Sequence, residues 1–387
     1  MRSDNVQQQI KERLTLSEIV GRTVKLKRAG REFHGLCPFH GEKTPSFTVN
    51  NAKGFYHCFG CGAHGDVFGF LMEAEGFSFP DALKTAADLA GVPLPQDAFK
   101  SHAVTPQQNQ RKKRLHALLT LAAEWFCHKL KHTNDLACIN FVKKRALNDK
   151  LVQKFKLGYA PNSYTALKTH FLSQGYSEKE LLAIGLLTKK DNGETYDKFR
   201  ARLVFPIADN RGQVVAFGAR ALDDAQLPKY LNSPETEVFH KGSVLYNQHV
   251  AQKSVFREQP LLLVEGYMDV VRLAEYGLER AVAPMGTAIT EAQISRMWQV
   301  EETPVVVLDG DSAGEKAEWR FIERCLPLLK VGKSFNFLRL PAGEDPDSLI
   351  RSIPTRWLTL TEKPTPMADF AFRWAGQEHD VTTHTGR

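Results

Sequence analysis

The sequence predicts an α/β protein of several domains in which a doubly wound parallel sheet forms the C-terminal part. Three observations lead to this prediction. The chain has 387 residues, which is more than one small domain needs. A polar, Gln-rich stretch at 96–113 separates an N-terminal region from the rest. Further along, short and fully apolar runs at 261–264 and 305–308 alternate with helical patterns, as in a sheet that is buried on both faces.

The composition is that of an ordinary globular protein. Hydrophobic residues make up 42% and charged residues 25%, which excludes a mostly disordered chain or a disulfide-stapled miniprotein. No apolar run approaches about 18 residues, so no membrane-spanning helix is predicted. The N-terminal sequence, MRSDNVQQQIKER, lacks the apolar core of a secretory signal. We therefore expect a cytoplasmic protein with no membrane partner.

Positive charge is concentrated in one part of the chain. The formal net charge is +7, and residues 101–170 alone hold 13 Lys or Arg against three acidic residues. A basic block beside a nearly neutral body is typical of a protein with a polyanion partner, most simply nucleic acid. A solvated basic face would give the same pattern, and the charge alone does not decide between the two.

A zinc ribbon is predicted within residues 1–95. Cys37 and His40 form one pair, and Cys58 and Cys61 form another. Within each pair, two residues lie between the two members. Zinc takes four tetrahedral nitrogen or sulfur ligands, and a two-residue spacing lets one tight turn supply two of them. All four ligands come from the protein, so we predict a single, closed, structural Zn²⁺ site.

The other boundaries follow changes in composition and periodicity. Residues 96–113 are typical of a basic, flexible linker. Helical and then mixed α/β sequence follows over 114–257, and strands alternate with helices over 258–350.

Three acidic clusters follow predicted strands of the C-terminal sheet. Glu265 comes after the first strand, Asp309 and Asp311 after the second, and Asp345 and Asp347 after a third apolar run. Ligands of open parallel sheets bind at the carboxyl ends of the strands, so we expect these carboxylates to converge. Carboxylates packed together repel one another unless a divalent cation offsets them. The pattern therefore indicates a Mg²⁺ site and phosphoryl or nucleotidyl transfer.

For two acidic residues of this region, the sequence does not decide between several roles. Glu265 could be either a metal ligand or a general base. Asp269, one helical turn later, could cap the helix, face solvent or face the metal site.

Cations are spaced along the strand and turn sequence between the two predicted metal sites. Such a spacing could follow a phosphate backbone or hold a triphosphate, although any one of them could be a solvated side chain. The residues are Arg200, Arg202, Arg220, Lys229 and Lys241.

Taken together, these motifs resemble a known family. The acidic residues of the C-terminal part occur in the order Glu, Asp-Gly-Asp, Asp-x-Asp. This order resembles the acidic motifs of the Toprim fold, which bacterial primases, topoisomerases and some nucleases share. The two Cys/His pairs resemble the zinc ribbon of bacterial replicative DNA primases. Three further segments resemble the nucleotide- and template-binding part of the same enzymes: RARLVFPI (200–207), AFGAR (216–220) and PKYLNSPETEVFHKG (228–242). The resemblance extends from about residue 4 to residue 385.

The resemblance implies the synthesis of short RNA primers from ribonucleoside triphosphates on single-stranded DNA. It implies that Glu265, Asp309 and Asp311 are catalytic, and that these three hold Mg²⁺ or Mn²⁺ together with Asp345 and Asp347. The zinc ribbon would recognise the initiation site on the template and would swing on the linker.

The resemblance also extends the binding surface and the set of partners. Arg145 and Tyr230 are placed on the same ridge as the five cations, although Tyr230 could stack on a base or simply pack. The replisome is the implied location, and a replicative helicase is an expected partner. Relatives continue through a helical subdomain, of which 351–387 would be the truncated start, and then into a domain that docks on this helicase. The chain stops at Arg387, so we expect a fragment or a naturally short form.

Two other classes of protein share parts of this pattern. A non-catalytic nucleic-acid-binding protein of the recombination-mediator type also joins a zinc site to a Toprim unit. Such a protein needs no triphosphate site, whereas the 228–242 segment and the arginines listed above indicate that this chain has one. A DNA-cleaving Toprim enzyme of the topoisomerase kind needs a nucleophilic tyrosine in a separate domain, and Tyr267 follows Glu265 too closely for that role. DNA primase is therefore the predicted function.

Overall fold

Two units make up the chain, Met1–Asn109 and Gln110–Arg387. They are seen in a computed structural model that describes residues 3–74, 77, 79–94, 106–223, 225–254, 258–286, 288–310, 312–352 and 354–378. Within these ranges, no helix has the length and apolar character that crossing a bilayer requires.

In its described residues up to position 94, the first unit is a five-stranded antiparallel sheet with four helices. Its strands pair in sequence order: β1 (Lys27–Ala29), β2 (Glu32–Gly35), β3 (Phe47–Asn50), β4 (Phe55–Cys58) and β5 (His64–Gly65). Its helices are α1 (Ser3–Arg13), α2 (Leu16–Val20), α3 (Val67–Ala74) and α4 (Phe79–Ala90). Side chains alternate between the two faces of a strand, so Tyr56 and Cys58 of β4 point into the core while Phe55 and His57 point away from it.

The next part of the chain forms an antiparallel sheet and a separate hairpin. The strands are β6 (Gly158–Ala160), β7 (Leu187–Lys189), β8 (Thr195–Asp197), β9 (Arg202–Ala208), β10 (Val214–Ala221) and β11 (Tyr230–Asn232). The sheet has the order β11-β10-β9-β6, and β7 pairs with β8. The helices are α5 (Pro106–Lys131), α6 (Leu136–Lys144), α7 (Asp149–Lys154), α8 (Ala166–Ser173), α9 (Glu178–Ala183) and α10 (Gln248–Lys253).

The predicted linker differs from the structure at its C-terminal end. Residues 106–113 are the first two turns of α5 rather than linker. Gln, Lys and Arg are good helix formers, and Pro106 stands at the first helical position, where it loses no hydrogen bond. Of the remaining predicted linker, residues 96–105 lie outside the described residues.

The C-terminal sheet has the order β13-β12-β14-β15-β16. Its strands are β12 (Leu262–Leu263), β13 (Ala281–Val282), β14 (Val305–Leu308), β15 (Asn336–Arg339) and β16 (Thr365–Pro366). The first four are parallel, and β16 is antiparallel to β15. The helices are α11 (Tyr267–Glu275), α12 (Glu291–Val300), α13 (Ser312–Cys325), α14 (Pro346–Ser352), α15 (Pro354–Thr361) and α16 (Met367–Glu378).

The predicted parallel α/β fold is confirmed, with one difference at its C-terminal end. Residues Thr365–Pro366, within the segment predicted to be the start of a helical subdomain, form β16 of the sheet. One hydrophobic core joins the middle sheet to the C-terminal sheet, and Phe205 of β9 stacks on Tyr267 of α11 with ring centroids 5.3 Å apart. Strands β12, β14 and β15 run in the same direction, so the loops that follow them meet at one edge of the sheet.

Candidate functional site

A cleft of about 320 Å³ opens at this edge of the C-terminal sheet. Its acidic lining consists of Glu265, Asp269, Asp309, Asp345 and Asp347, and its basic lining consists of Arg145, Arg220 and Lys229. The convergence expected from the strand order is therefore found for the described acids. Asp311 lies outside the described residues.

The strand ends hold Glu265 and Asp309 together. Glu265 follows β12 and Asp309 follows the neighbouring β14, and the Asp309 backbone N–H donates to Glu265 Oε1 at 3.2 Å. Helix α11 begins two residues after Glu265, and the Gly266 N–H donates to Asp269 Oδ2 at 3.0 Å, which closes the first helical turn. The sequence left the role of Asp269 undecided, and the structure shows that this residue both caps α11 and lines the cleft.

Burial and the negative charge of the acidic lining raise the pKa of Asp269. Burial of this carboxyl, together with the negative charges of Asp309 and Asp345, raises its pKa to about 8. A divalent cation in the cleft would offset this repulsion, and carboxylate oxygens are the ligands that Mg²⁺ and Mn²⁺ prefer. The donor set therefore fits a divalent metal.

Backbone contacts clamp the loops after β14 and β15 to each other. The Gly310 N–H donates to Glu344 O at 2.9 Å, and the Gly343 N–H donates to Gly310 O at 3.0 Å. A Cβ atom at position 310 would lie 2.0 Å from Pro341 O, so only glycine allows this approach. The separation between the Asp309 and Asp345 backbones is thus set by the main chain.

Asp347 is held by two arginines. Its Oδ1 accepts from Arg272 Nε at 2.7 Å, and its Oδ2 accepts from Arg145 Nη1 at 3.2 Å. Arg272 is buried and also contacts Glu275 and the Arg145 carbonyl. Asp345 instead caps α14, because the Ser348 N–H donates to its Oδ1 at 2.6 Å.

Two aromatic rings hold Arg220 of the basic lining in place. The Arg220 guanidinium lies 5.5 Å from the ring centroid of Phe141 and 5.4 Å from that of Tyr230, and Arg220 donates to the Tyr230 hydroxyl at 3.1 Å. Arg220 is only 4% exposed, so its charge is presented toward the cleft from a rigid position. Lys229 is exposed.

Asn232 lines the cleft and was not predicted from the sequence. Its Nδ2 donates to Met285 O at 2.9 Å, and the Tyr267 hydroxyl donates to its Oδ1 at 2.7 Å. Its position within the 228–242 segment is the only sequence signal that could have singled it out. Tyr267 is buried, with burial raising its pKa, so it is not an accessible nucleophile.

The second site lies in the first unit, where Cys37, His40, Cys58 and Cys61 place their ligand atoms within 4.8 Å of one another. The Sγ atoms of Cys37 and Cys61 are 3.7 Å apart. Two thiolates bound at about 2.3 Å to a tetrahedral Zn²⁺ are about 3.8 Å apart, so the geometry fits zinc. A hydrogen bond from the Cys37 thiol lowers the pKa of the Cys61 thiol.

Glu42, which the sequence did not single out, supports the zinc ligands. It lies beside His40, whose Nε2 is 3.2 Å from Glu42 Oε2, while His40 Nδ1 lies 3.6 Å from Cys58 Sγ. The Cys37 N–H also donates to Glu42 Oε1 at 2.7 Å. A carboxylate on the outer nitrogen of a ligating histidine fixes its ring and tautomer.

Comparisons with known families cover both sites. The CHC2 zinc finger matches residues 2–102, the DNA primase catalytic core, N-terminal domain, matches 125–252, and the Toprim domain matches 259–334. The solved Aquifex aeolicus primase (zinc-binding and RNA polymerase domains) is 30% identical, with 97% of this chain and 89% of that chain covered and a TM-score of 0.61. A solved DnaG primase catalytic domain bound to ssDNA is 36% identical, with 72% and 90% covered and a TM-score of 0.66.

The chain belongs to the bacterial DNA primase family. The DNA primase of Haemophilus influenzae is 40% identical over 372 residues, which are 96% of this chain and 62% of that protein. The chain thus spans less than two thirds of the length of this curated primase.

Of the predicted nucleic-acid- and nucleotide-binding residues, some line the cleft and others do not. Arg145, Arg220, Lys229 and Tyr230 line the cleft. The other three basic residues are not part of its lining: Arg200, Arg202 and Lys241.

Each of these three has a different setting. Arg202 is 3% exposed, and its Nη1 donates to Lys229 O at 3.4 Å. Lys241 begins a short 3-10 turn, where its N–H donates to Glu235 Oε1 at 2.9 Å. Arg200 packs against two tyrosine rings that also contact each other.

The basic block at 101–170 is partly neutralised by acids from elsewhere in the fold. Five of its cations are ion-paired, among them Arg111 with Glu237 and Arg114 with Glu180. Its charge therefore overstates the positive surface that is open to a nucleic acid.

Proposed function

We propose that this chain synthesises short RNA primers on single-stranded DNA by metal-assisted nucleotidyl transfer. The observation that carries the proposal is the lining of one cleft, in which carboxylates suited to a divalent metal lie next to cations suited to a triphosphate. A protein that only bound nucleic acid would need the cations alone.

The acidic lining would hold Mg²⁺ or Mn²⁺. Glu265, Asp269, Asp309 and Asp345 are the described candidates, and Asp311 stays a predicted ligand. Bound there, the cation supplies positive charge beside the triphosphate and the attacking hydroxyl. Asp347 would share its carboxylate between a metal and the two arginines that already contact it.

The other residues of the cleft bind and orient the substrates. Arg145, Arg220 and Lys229 would hold the phosphates of a ribonucleoside triphosphate and of the template. The carboxylate of Glu265 would accept the proton of the 3′-hydroxyl as it attacks the α-phosphate, and pyrophosphate would leave.

The proposed partners and the proposed location follow from the primase activity. A related catalytic domain is bound to ssDNA in its solved structure, which supports single-stranded DNA as the template. Ribonucleoside triphosphates are the proposed substrates, and recognition of an initiation site is the proposed task of the zinc ribbon. A replicative helicase is the proposed further partner, and the replisome in the cytoplasm is the proposed location.

The test is primer synthesis from labelled ribonucleotides on single-stranded DNA with Mg²⁺. The unsubstituted chain should give short RNA, whereas D309A should give none because it removes a central carboxylate. E302A is the matched control, since Glu302 is an exposed acid outside the cleft lining, and it should synthesise RNA normally. If the unsubstituted chain binds the DNA but makes no RNA, the recombination-mediator reading replaces this proposal.

A further inference from the structure

Two histidines lie next to each other at the C-terminal end of α5. His128 and His132 are four residues apart, and the His132 N–H donates to the His128 carbonyl at 3.1 Å, so helical geometry continues to His132. Residues at this spacing project from the same face of a helix. Both side chains are exposed, and their ring centroids are 4.4 Å apart with an angle of 40° between the ring planes.

The separation of the two rings suits nitrogens that bind one metal ion. An ion at about 2.1 Å from an imidazole nitrogen lies about 3.2 Å from the centre of that ring. Two imidazoles that bind the ion at a right angle, as neighbouring ligands do in tetragonal or octahedral geometry, then have centroids about 4.5 Å apart. A tetrahedral angle would place them about 5.2 Å apart. The observed 4.4 Å is close to the right-angle value.

The two imidazoles are not engaged by an acid. The ion pairs of histidine in the described part of the chain involve other rings, and no described carboxylate pairs with His128 or His132. Asp135, the acid that follows the pair in sequence, is occupied elsewhere, because its carboxylate caps α6 and accepts from the Tyr159 hydroxyl. The pair is therefore available to a ligand from solution.

The end of the helix favours a cation beside these rings. Carbonyl groups of a last helical turn carry partial negative charge, which stabilises a positive ion next to them. Glu124, one turn before His128, is exposed on the same face and adds a negative charge. The ammonium of Lys129, the residue after His128, lies instead over the Trp125 ring, 5.2 Å from its centroid.

We propose that His128 and His132 form an open metal site, separate from the zinc ribbon and from the acidic cleft, for a divalent transition metal such as Ni²⁺ or Cu²⁺. Imidazole nitrogen is a good ligand for these ions, and tetragonal geometry suits both of them. Among the described residues, no third Cys, His, Asp or Glu completes a group of ligand atoms within 4.8 Å around the pair. The protein therefore supplies two ligands and water supplies the others, in contrast to the closed zinc site.

Calorimetric titration of the zinc-loaded chain with nickel chloride measures the affinity of this site. Excess Mg²⁺ competes for the carboxylates of the cleft, and a buffer at about pH 8 keeps the imidazoles neutral. Two ligands on one scaffold bind at least about a hundredfold more tightly than one, so H128Q and H132Q should each lose about that factor in Ni²⁺ affinity. H240Q is the matched control, because it removes a single exposed imidazole, and it should have no effect.

A spacing variant separates chelation from binding by single surface histidines. H132T/T133H keeps the number of histidines but moves the second to the fifth position after His128, where it projects from another side of the helix. This variant should lose the same hundredfold affinity. Ni²⁺ should also raise the melting temperature of the unsubstituted chain more than that of the variant, because a ligand stabilises the state that binds it.

Circular dichroism of the metal-free variants shows that the comparison is between folded chains, as expected for changes at two exposed positions. Equal Ni²⁺ affinities of the unsubstituted chain and H132T/T133H would overturn the proposal, because single histidines would then account for the binding. A loss of affinity in H240Q as large as that in H128Q would also overturn it. RNA synthesis is not measured in this test, so its result does not depend on the proposed function.

Discussion

Replacing Arg272 with methionine removes a buried cation that several parts of the cleft share. The Arg272 side chain is 2% exposed and meets Asp347, which is 6% exposed, at 2.7 Å. In R272M the aliphatic stem is kept, but the buried Asp347 loses its shorter ion pair and the Arg145 carbonyl loses a donor. Breaking a buried ion pair from one side costs about 3–5 kcal/mol of folding free energy.

The matched control is an ion pair of the same length at the surface. Arg111 meets Glu237 at 2.7 Å, but these side chains are 53% and 45% exposed. Water solvates both charges in the unfolded chain and nearly as well in the folded one, so R111M should leave the stability almost unchanged.

Thermal unfolding followed by circular dichroism measures the difference. A loss of about 3 kcal/mol corresponds to a fall of roughly 6–12 °C in the melting temperature of a domain of this size. R272M should show that fall and R111M should not. Melting temperatures within about 2 °C of each other for the two variants would refute the reasoning that burial decides the cost.

Three further outcomes follow from the two sites. In buffer without added divalent metal, the raised pKa of Asp269 lets the folded chain hold a proton between about pH 4 and pH 8 that the unfolded chain has released. Stability should therefore fall by up to about 1.4 kcal/mol per pH unit as the pH rises through this window. Urea unfolding at several pH values should show this slope in the unsubstituted chain and not in D269N. In the zinc ribbon, E42Q should weaken zinc binding about 10–100-fold in competition with a chromophoric chelator. E18Q is the control and should not weaken it, because Glu18 is an exposed acid of α2 outside the Cys/His cluster; equal affinities of the two variants would exclude support by Glu42. In salt titrations of single-stranded DNA binding, K229A should lower the slope of log K against log [salt] by about one, whereas K241A should change it less because Lys241 is not in the cleft lining.

Features that depend on neighbouring residues in the chain were predicted well. The run at 305–308 is β14, because four consecutive apolar residues are buried on both faces and a turn follows them. Residues 79–90 have the apolar spacing of a helix, and they form α4. The Cys/His spacing singled out four residues whose ligand atoms the structure brings together, since a two-residue turn places both members of a pair on the same side.

Features that depend on distant residues were not predictable. Arg272 and Asp347 are 75 residues apart in sequence, and only the fold brings these charges together. Arg202 has the charge pattern of a surface residue and yet is buried beneath the Lys229 backbone. The helical start of α5 was missed for another reason, because Gln, Lys and Arg are common both in linkers and in exposed helices.

The clamp at Gly310 limits how the loops after β14 and β15 can change in length. Gly310 both donates to Glu344 and accepts from Gly343, so an extra residue in either loop would shift one partner and break both bonds unless the other loop changed as well. The turn between β7 and β8 has no such constraint, because its exposed residues bond only within the hairpin. Insertions should be tolerated in that hairpin, whereas the two acidic loops should be inherited as one block of fixed length.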